Sequence, residues 1–349
     1  GVTGIPARPL AVGAGGRADA SPRNTMFRAP WWCRNGHLQT VWGPLFRRGR
    51  VSLRRERFDT PDGDFLDLDW LDGPPGSPLL LILHGLEGSA RSHYVTGLLR
   101  GASARRWRGV ALNFRSCSGE PNRLPRFYHS GETGDLEQVV GLLTEREPSL
   151  RIGAVGVSIG GNALLKWLGE RELDVPKQVI GAVAISVPFD LAASVRVLDE
   201  GLRRAVYTTS FLRSLKAKVR AKSRTHADFV DVRAVMRART LAEYDRAVTA
   251  PLHGFADELD YWTRSSSVPL LGRIRRPTLL VNALDDPFVP ATSLPDPARL
   301  PSWVVAEFVP RGGHVGFVEG RWPWRVTSWA ERRAVAFLAG LVADSQPIC

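Results

Sequence analysis

The sequence predicts one large α/β domain, built on a mostly parallel sheet of about eight strands that is flanked by helices and carries an inserted helical cap. Two observations support this. Short apolar runs alternate along the chain with stretches of helical periodicity, which is typical of strands buried on both faces and the helices that cover them. Residues from about 191 to 275 are instead helical, charged and poor in strand patterns, as expected of an insertion over a pocket.

The amino-terminal part of the sequence predicts a disordered segment and then a hairpin. Residues 1–25 are rich in Gly, Ala, Pro and Arg and lack apolar periodicity, which predicts disorder. Residues 26–349 are predicted to form the folded domain. At its start, residues 51–58 and 65–71 alternate apolar with polar side chains around turn residues, which predicts two antiparallel strands.

The other predicted strands share a mostly apolar character and are bounded by turn residues. They are residues 79–83, 110–114, 152–157, 179–187, 278–283 and 304–309. Helices are predicted from apolar side chains at helical spacing at about 133–146, directly after residue 158, and at about 326–342. This alternation predicts a parallel sheet after an antiparallel start.

The junction at Ser158 gives the first indication of chemistry. A short apolar run precedes the serine and helical spacing begins after it, so the chain turns sharply there. Gly156 and Gly160 complete Gly-x-Ser-x-Gly, in which small flanking residues let strand and helix approach closely and leave the hydroxyl exposed. In a strand–turn–helix setting this motif predicts a nucleophilic serine.

A nucleophilic serine needs a histidine to take its proton and a carboxylate to hold that histidine. In proteins that use this turn, the acid and then the histidine follow the serine along the chain. Of the seven histidines, only His314 lies beyond the next strand–acid junction, which ends in Asp285 and Asp286. His314 also stands in a loop framed by glycines. The order therefore selects His314 as the base and leaves two aspartates as candidate acids.

These strands, this turn and this residue order are the plan of the α/β-hydrolase fold. In that fold, the turn after the third strand and the residue after the serine supply two backbone amides that stabilise an oxyanion. The matching positions are Leu86 and Ile159. His84 lies in the same turn but precedes the serine, and it is predicted to brace the loop rather than to catalyse.

Several longer stretches resemble the YheT-like branch of the α/β-hydrolases, which is related to the eukaryotic abhydrolase-domain proteins and the fungal medium-chain acyltransferases. The matching stretches are residues 35–40, 84–88, 92–94, 128–131, 156–166, 186–190, 250–255, 282–288 and 312–317. The resemblance implies a serine hydrolase acting on carboxylic esters of short to medium acyl chain. It also implies Ser158 as nucleophile, His314 as base, and one of the two aspartates as the orienting acid.

Two details of the resemblance concern single residues. Asp286 is preferred over Asp285 as the acid, because Asp-x-x-Val-Pro resembles the usual sequence after that strand in the superfamily. Ser116 stands where relatives usually have glycine, in Arg-Gly-Cys-Ser-Gly. If that position needs a positive φ, its backbone is strained in this chain.

Composition argues against several other classes of protein. The three cysteines are widely spaced, without the pattern of a disulfide framework or a metal site, and neither a metal nor another cofactor is expected. No run is long and apolar enough to cross a membrane, so a soluble, cytoplasmic protein is expected. The formal charge of +12 favours anionic partners, but no nucleic-acid-binding motif accompanies it, and nucleic-acid binding is not expected.

The expected partner is therefore a small-molecule acyl ester or a lipid, and some alternatives stay open. In the predicted cap, residues 211–224 place apolar side chains on one helical face and basic ones on another, a pattern compatible with weak membrane-surface contact as well as with a packed cap helix. The serine, histidine and aspartate side chains could also serve acyl transfer to alcohols, or phospholipase or lipase-like cleavage. A non-catalytic binding protein that uses the pocket is a further alternative.

Overall fold

The computed structural model describes residues 26–47 and 49–345, so the segment 1–25, predicted to be disordered, lies outside the described residues. The strands are β1 (Arg54–Asp59), β2 (Phe65–Leu71), β3 (Leu79–Leu83), β4 (Arg108–Asn113), β5 (Ile152–Val157), β6 (Val179–Ile185), β7 (Thr278–Ala283), β8 (Val304–Val309), β9 (Val318–Trp322) and β10 (Arg325–Ser328). The α-helices are α1 (Gly36–Phe46), α2 (His93–Ala104), α3 (Gly134–Arg146), α4 (Ile159–Arg171), α5 (Leu191–Leu198), α6 (Gly201–Arg203), α7 (Thr209–Lys222), α8 (Val232–Arg237), α9 (Leu241–Tyr244), α10 (Ala250–Leu252), α11 (Glu258–Ser265) and α12 (Trp329–Asp344). Short 3₁₀ turns lie at Glu172–Asp174, Val268–Arg273, Ala291–Ser293 and Pro297–Arg299, and π-helical turns at Arg204–Thr208 and Asp245–Thr249.

Eight strands form one sheet in the order β1-β2-β4-β3-β5-β6-β7-β8. β2 pairs antiparallel with β1 and with β4, and the remaining neighbours pair in parallel. The predicted fold class, a mostly parallel sheet of eight strands flanked by helices, is confirmed. β3 and β5 are adjacent although α2, β4 and α3 separate them in the chain, so the strand order reverses there. Ligands of open α/β sheets bind beyond the carboxyl ends of the strands at such a reversal.

The apolar run of β3 shows why this sheet is buried on both faces. Leu79, Leu81 and Leu83 pack into a core that includes side chains of α3 and α4. Leu80 and Ile82 pack into a second core, with side chains of α2 and α12. Successive side chains of a strand point to opposite faces, so a strand between two helical layers is apolar at every position.

Some elements differ from their predicted bounds. The first strand was predicted from residue 51, but pairing with β2 begins where Arg54 lies opposite Trp70. The closing helix was predicted from about residue 326, but residues 325–328 form β10, which pairs with β9, and α12 begins at Trp329. The small β9–β10 hairpin and helix α1 were not predicted.

The chain between β6 and β7 forms helices and turns and adds no strand to the described part of the molecule. In α7, Leu212, Leu215 and Val219 are buried, whereas Arg213 and Arg220 are exposed. One face of this helix is therefore packed and the other faces solvent. No helix in residues 26–47 and 49–345 is long and apolar enough to cross a bilayer.

A buried arginine holds the β1–β2 turn against the sheet. The Arg115 side chain is 1% exposed, and its guanidinium lies 2.8 Å from Asp62, 2.9 Å from Asp64 and 2.7 Å from Asp135. Arg115→Met removes the cation and leaves three carboxylates facing one another. We expect the free energy of unfolding, measured by urea titration, to fall by about 3–5 kcal/mol.

Arg54→Met is the matched control, because the Arg54–Asp72 pair is exposed on both sides. We expect that change to cost less than about 1 kcal/mol. Equal losses in the two variants would show that burial of the Arg115 cluster does not matter for stability.

Candidate active site

Ser158 occupies a strained turn between β5 and α4, with φ of 55° and ψ of −123°. The glycines around it leave no room for larger residues. A β-carbon added to Gly156 would lie 2.5 Å from the carbonyl oxygen of Gly160, and one added to Gly160 would lie 2.4 Å from that of His84. The two glycines of the motif therefore allow the strand and helix to close around the serine, as the sequence indicated.

A continuous hydrogen-bonded chain joins the serine, the histidine and one aspartate. His314 Nε2 lies 2.9 Å from Ser158 Oγ, and His314 Nδ1 lies 2.8 Å from Asp286 Oδ2. All three residues are buried. A carboxylate accepts only, so Nδ1 carries the proton towards Asp286, and Nε2 can accept from the serine hydroxyl. The arrangement can therefore remove a proton from Ser158 Oγ.

The two neighbouring aspartates have different partners. Asp286 Oδ1 accepts hydrogen bonds from the amides of Phe288 and Val289, at 2.8 and 3.2 Å, which leaves Oδ2 directed at His314. Asp285 Oδ1 accepts from the Gly313 amide at 2.8 Å instead. Burial raises the pKa of Asp285, and the Gly313 amide opposes that rise. Asp286 thus contacts the imidazole, while Asp285 holds the loop beside it.

The loop that carries His314 is also held by residues that the sequence did not single out individually. The His314 amide donates to Thr40 Oγ1 at 2.9 Å, and the Val315 amide donates to Ser186 Oγ at 2.9 Å. Gln39 Oε1 accepts from Val318 N at 2.7 Å. Helix α1, which precedes β1 in the chain, thus holds the loop that carries the imidazole, together with Ser186, which follows β6.

One signal for helix α1 was available in the sequence. Asn35 caps the helix, because its side chain accepts hydrogen bonds from the amides of His37 and Leu38. Asparagine is a favoured residue at this position. No local pattern, however, indicated that Gln39 and Thr40 would reach the His314 loop more than 270 residues later in the chain.

An aromatic side chain covers the imidazole. The Phe288 ring is stacked on His314, with centroids 4.1 Å apart, and Tyr207 packs edge-on against Phe288 at 4.7 Å. The Tyr207 hydroxyl is hydrogen-bonded to His37 Nδ1 at 2.8 Å. The His314 side chain is thus buried beneath an aromatic layer that is tied to helix α1 through His37.

The turn after β3 is held by two aromatic side chains. The Gly85 amide donates to Tyr94 Oη at 2.8 Å, and the Glu87 amide donates to Tyr128 Oη at 2.8 Å. The amides of Leu86, which lies between them, and of Ile159 have no acceptor among the described residues. Both predicted oxyanion amides are therefore free to donate to a ligand.

His84 has a bracing position. Its Nε2 accepts from the Phe114 amide at 3.1 Å, so Nδ1 carries the proton and donates to the Gly85 carbonyl at 2.7 Å. Burial lowers its pKa to about 4, so the ring is neutral at physiological pH. Both nitrogens are thus occupied in holding β3, β4 and the turn together.

Ser116, at a position where relatives usually have glycine, has a positive φ of 64°. Its side chain offsets part of the resulting strain: the hydroxyl donates to Asn122 Oδ1 at 2.6 Å and accepts from the Asn122 amide at 3.2 Å. A glycine at this position would lack these two hydrogen bonds. The serine therefore fixes the loop by a side-chain contact rather than by backbone freedom.

A cavity of about 1180 Å³ opens above the serine. Ser158, His314 and Leu86 line it, and the helices between β6 and β7 contribute much of its wall. The apolar side chains that those helices contribute include Leu191, Val195, Leu198, Leu215, Leu241 and Val248. The cavity can therefore hold an apolar chain next to the nucleophile. Among the described residues, no group of three or more His, Cys, Asp or Glu side chains could bind a metal ion.

Comparison with known proteins gives the same fold and several relatives. A family model described as "alpha/beta hydrolase fold" matches residues 78–321. "Putative esterase YheT" from Escherichia coli (strain K12) is 40% identical over 292 residues, covering 82% of this chain and 85% of that protein. "Phospholipase ABHD3" from Homo sapiens is 30% identical over 321 residues, covering 89% of this chain and 78% of that protein.

Solved structures add a likeness of fold alone. The esterase Pf2001 from Pyrococcus furiosus superposes with a TM-score of 0.53 at 17% sequence identity, and the match covers 84% of this chain and 96% of that one.

Proposed function

We propose that this chain, which belongs to the alpha/beta hydrolase family and to its YheT-like branch, is a serine hydrolase that cleaves carboxylic esters of short to medium acyl chain. One observation carries the proposal. The hydrogen bonds of 2.9 Å from Ser158 Oγ to His314 Nε2 and of 2.8 Å from His314 Nδ1 to Asp286 Oδ2 connect a nucleophile, a base and an orienting acid.

The first half of the proposed reaction acylates the serine. Ser158 Oγ attacks the ester carbonyl carbon while its proton passes to His314 Nε2, and Asp286 stabilises the imidazolium that forms. The carbonyl oxygen becomes an oxyanion that accepts hydrogen bonds from the amides of Leu86 and Ile159. The tetrahedral intermediate then collapses, His314 returns the proton to the alcohol oxygen, and the alcohol leaves.

The second half releases the acyl group. Water attacks the acyl-Ser158 carbonyl and gives its proton to His314, a second oxyanion forms at the same amides, and the carboxylic acid departs as Ser158 recovers its proton. The helices between β6 and β7 act in this proposal as a cap, whose apolar side chains hold the acyl chain. Chain-length preference then follows from the packing of those helices.

A second candidate substrate is a phospholipid with acyl esters of similar length. The human relative named as a phospholipase favours it, and so does the apolar wall of the cavity. Incubation with a medium-chain phosphatidylcholine, followed by product analysis, should yield a fatty acid and a lysophospholipid if this candidate is correct. Hydrolysis of simple esters without any action on the phospholipid would restrict the proposal to carboxylesterase activity.

A panel of p-nitrophenyl esters from acetate to palmitate tests the main proposal. We expect kcat/KM to be highest among the short and medium chains, as the resemblance to the YheT-like branch implies. A fluorophosphonate probe should label Ser158 in the folded protein and not in heat-denatured protein. Absence of both hydrolysis and labelling in the folded protein would leave the non-catalytic alternative as the better explanation.

A further inference from the structure

A largely buried polar cluster, in which Ser214 is exposed, lies beside the turn that follows β3. We call it the Glu87 cluster; its members are Glu87, Tyr128, Ser214 and Lys218. Glu87 Oε1 accepts from Tyr128 Oη and from Lys218 Nζ, both at 2.7 Å, and Oε2 accepts from the Ser214 hydroxyl. The Glu87 side chain is 7% exposed and that of Lys218 is 21% exposed, so this ion pair is largely withdrawn from water.

The cluster joins three separate parts of the chain. Glu87 belongs to the turn after β3, Tyr128 to the segment before α3, and Ser214 and Lys218 to helix α7 of the region between β6 and β7. Lys218 Nζ also lies 3.2 Å from Cys117 Sγ, a thiol whose pKa burial raises to about 11. Since that thiol is neutral, Glu87 provides the negative charge that Lys218 pairs with in this cluster.

The cluster fixes the backbone around Leu86. Tyr128 Oη both donates to the Glu87 carboxylate and accepts from the Glu87 amide, so it ties the side chain and the backbone of one residue together. Glu87 has a φ of 55°, an unfavourable conformation for a residue with a side chain, and its contacts hold it there. Holding Glu87 in this conformation therefore helps to fix the turn that carries the neighbouring Leu86 amide.

The charge of the cluster matters as well as its geometry. Glu87 follows Leu86 directly, so an unpaired carboxylate there would repel an oxyanion forming at the Leu86 amide. Repulsion of this kind is strong in a site withdrawn from water. Lys218 neutralises the carboxylate, and it does so from a helix that also forms the wall of the substrate cavity.

We propose that Lys218 is a positioning residue for the oxyanion hole, which it serves by neutralising Glu87 and holding it in place. The inference rests on the proposed function, because it assumes that the Leu86 amide binds the oxyanion. The inference gives the region between β6 and β7 a second role beside enclosing the substrate. Through Lys218, helix α7 helps to hold the oxyanion hole that stabilises the transition state.

Lys218→Met tests the proposal through steady-state kinetics on a p-nitrophenyl ester. We expect kcat to fall roughly ten- to hundredfold, less than or similar to the loss of a whole oxyanion donor. KM should stay within about threefold, because the ground-state ester does not use the oxyanion amides fully. A trifluoromethyl ketone, which forms a tetrahedral adduct with the serine, should lose affinity by the same factor as kcat. Unchanged kcat would overturn the proposal.

Lys216→Met is the matched control on the same helix. Lys216 Nζ donates to the backbone carbonyls of Met236 and Ala238, so this change also removes a bonded ammonium from α7 without touching Glu87. We expect kcat within about twofold of the unaltered protein, as for a residue outside the site. An equal loss of kcat in both variants would show that α7 is merely being destabilised, and would contradict the specific role of Lys218.

Glu87→Gln separates charge from structure. Glutamine keeps an acceptor for Tyr128, and we expect kcat within about threefold of the unaltered protein. The double variant Glu87→Gln with Lys218→Met should then recover about tenfold in kcat over Lys218→Met alone, a coupling expected of residues in contact. Lys218→Arg should likewise keep most of the activity. A double variant no faster than Lys218→Met would refute action through Glu87.

Failure of this inference and failure of the proposed function give different results. If the unaltered protein shows no hydrolysis that depends on Ser158, the proposed function is wrong and this inference falls with it. If the unaltered protein is active, and its activity is indifferent to Lys218→Met in folded protein, only the inference is wrong. If Lys218→Met does not fold, Lys218→Arg and Glu87→Gln still test the inference. Both are predicted to keep most of kcat, so a large loss of kcat in Glu87→Gln would contradict it.

Discussion

Replacing Ser158 with alanine should lower kcat for ester hydrolysis by about 10⁶-fold. In the proposed mechanism Ser158 Oγ is the only protein atom that forms a covalent bond with the substrate. Neither His314 nor Asp286 can substitute for it. The amides of Leu86 and Ile159 would still polarise a bound carbonyl, so a residual rate of about 10³-fold over water is expected. Active-site titration, together with turnover of the ester that the unaltered protein prefers, measures both quantities.

Ser345→Ala is the matched control, since it removes a serine hydroxyl that donates to the Val342 carbonyl at the exposed end of α12. That variant should keep full activity and full labelling by a fluorophosphonate. Both variants should give unchanged circular dichroism, because alanine at position 158 meets the same backbone constraint as serine. Near-normal turnover in Ser158→Ala would refute the proposed function, whatever the geometry of the remaining residues.

The sequence predicted strands well where burial acts on both faces. β3, β7 and β8 have the predicted bounds, at Leu79–Leu83, Thr278–Ala283 and Val304–Val309. β3 and β7 are buried at every position, so their apolar runs end where the strands end, whereas β8 is an edge strand whose bounds were predicted although Val305 is half exposed. The edge strand β1 was less well predicted, because its burial alternates and its start depends on where β2 offers a partner.

Chain order and local motifs were sufficient to select Ser158 and His314 and to narrow the acid to Asp285 or Asp286. In the structure His314 lies within hydrogen-bonding distance of both Ser158 and Asp286. A nucleophile turn has a local signature, because close approach of strand and helix requires glycine at fixed spacing. The choice between the two aspartates had only a resemblance to support it. In the structure the two carboxylates diverge, since the amides of Phe288 and Gly313 hold them in different directions.

Supporting contacts could not be predicted in the same way. Thr40 and His314 are 274 residues apart, and Glu87 and Lys218 are 131 residues apart. No periodicity or turn signal links such positions, because each pairing depends on how whole elements pack. The residues that fix the imidazole and the oxyanion turn therefore emerged only with the tertiary structure.

Asp286→Asn should lower kcat by about 10⁴-fold while leaving the fold intact. Asparagine matches aspartate in size, and its oxygen can still accept from the Phe288 amide. Its amide nitrogen, however, then faces His314 Nδ1 and donates to it, which places the imidazole proton on Nε2. In that tautomer Nε2 cannot accept the proton of Ser158 Oγ. Steady-state hydrolysis and the rate of fluorophosphonate labelling should both fall, because both need the same proton transfer.

Asp285→Asn is the internal comparison, one residue away and of the same chemistry. The asparagine oxygen can keep the hydrogen bond from the Gly313 amide. Because the side chain at position 285 makes no contact with the imidazole in the structure, kcat should fall by less than about tenfold. The ratio between the two variants identifies the acid directly. If Asp285→Asn proved the more damaging, Asp285 would have to replace Asp286 in the catalytic complex, which would require the His314 loop to move after substrate binds.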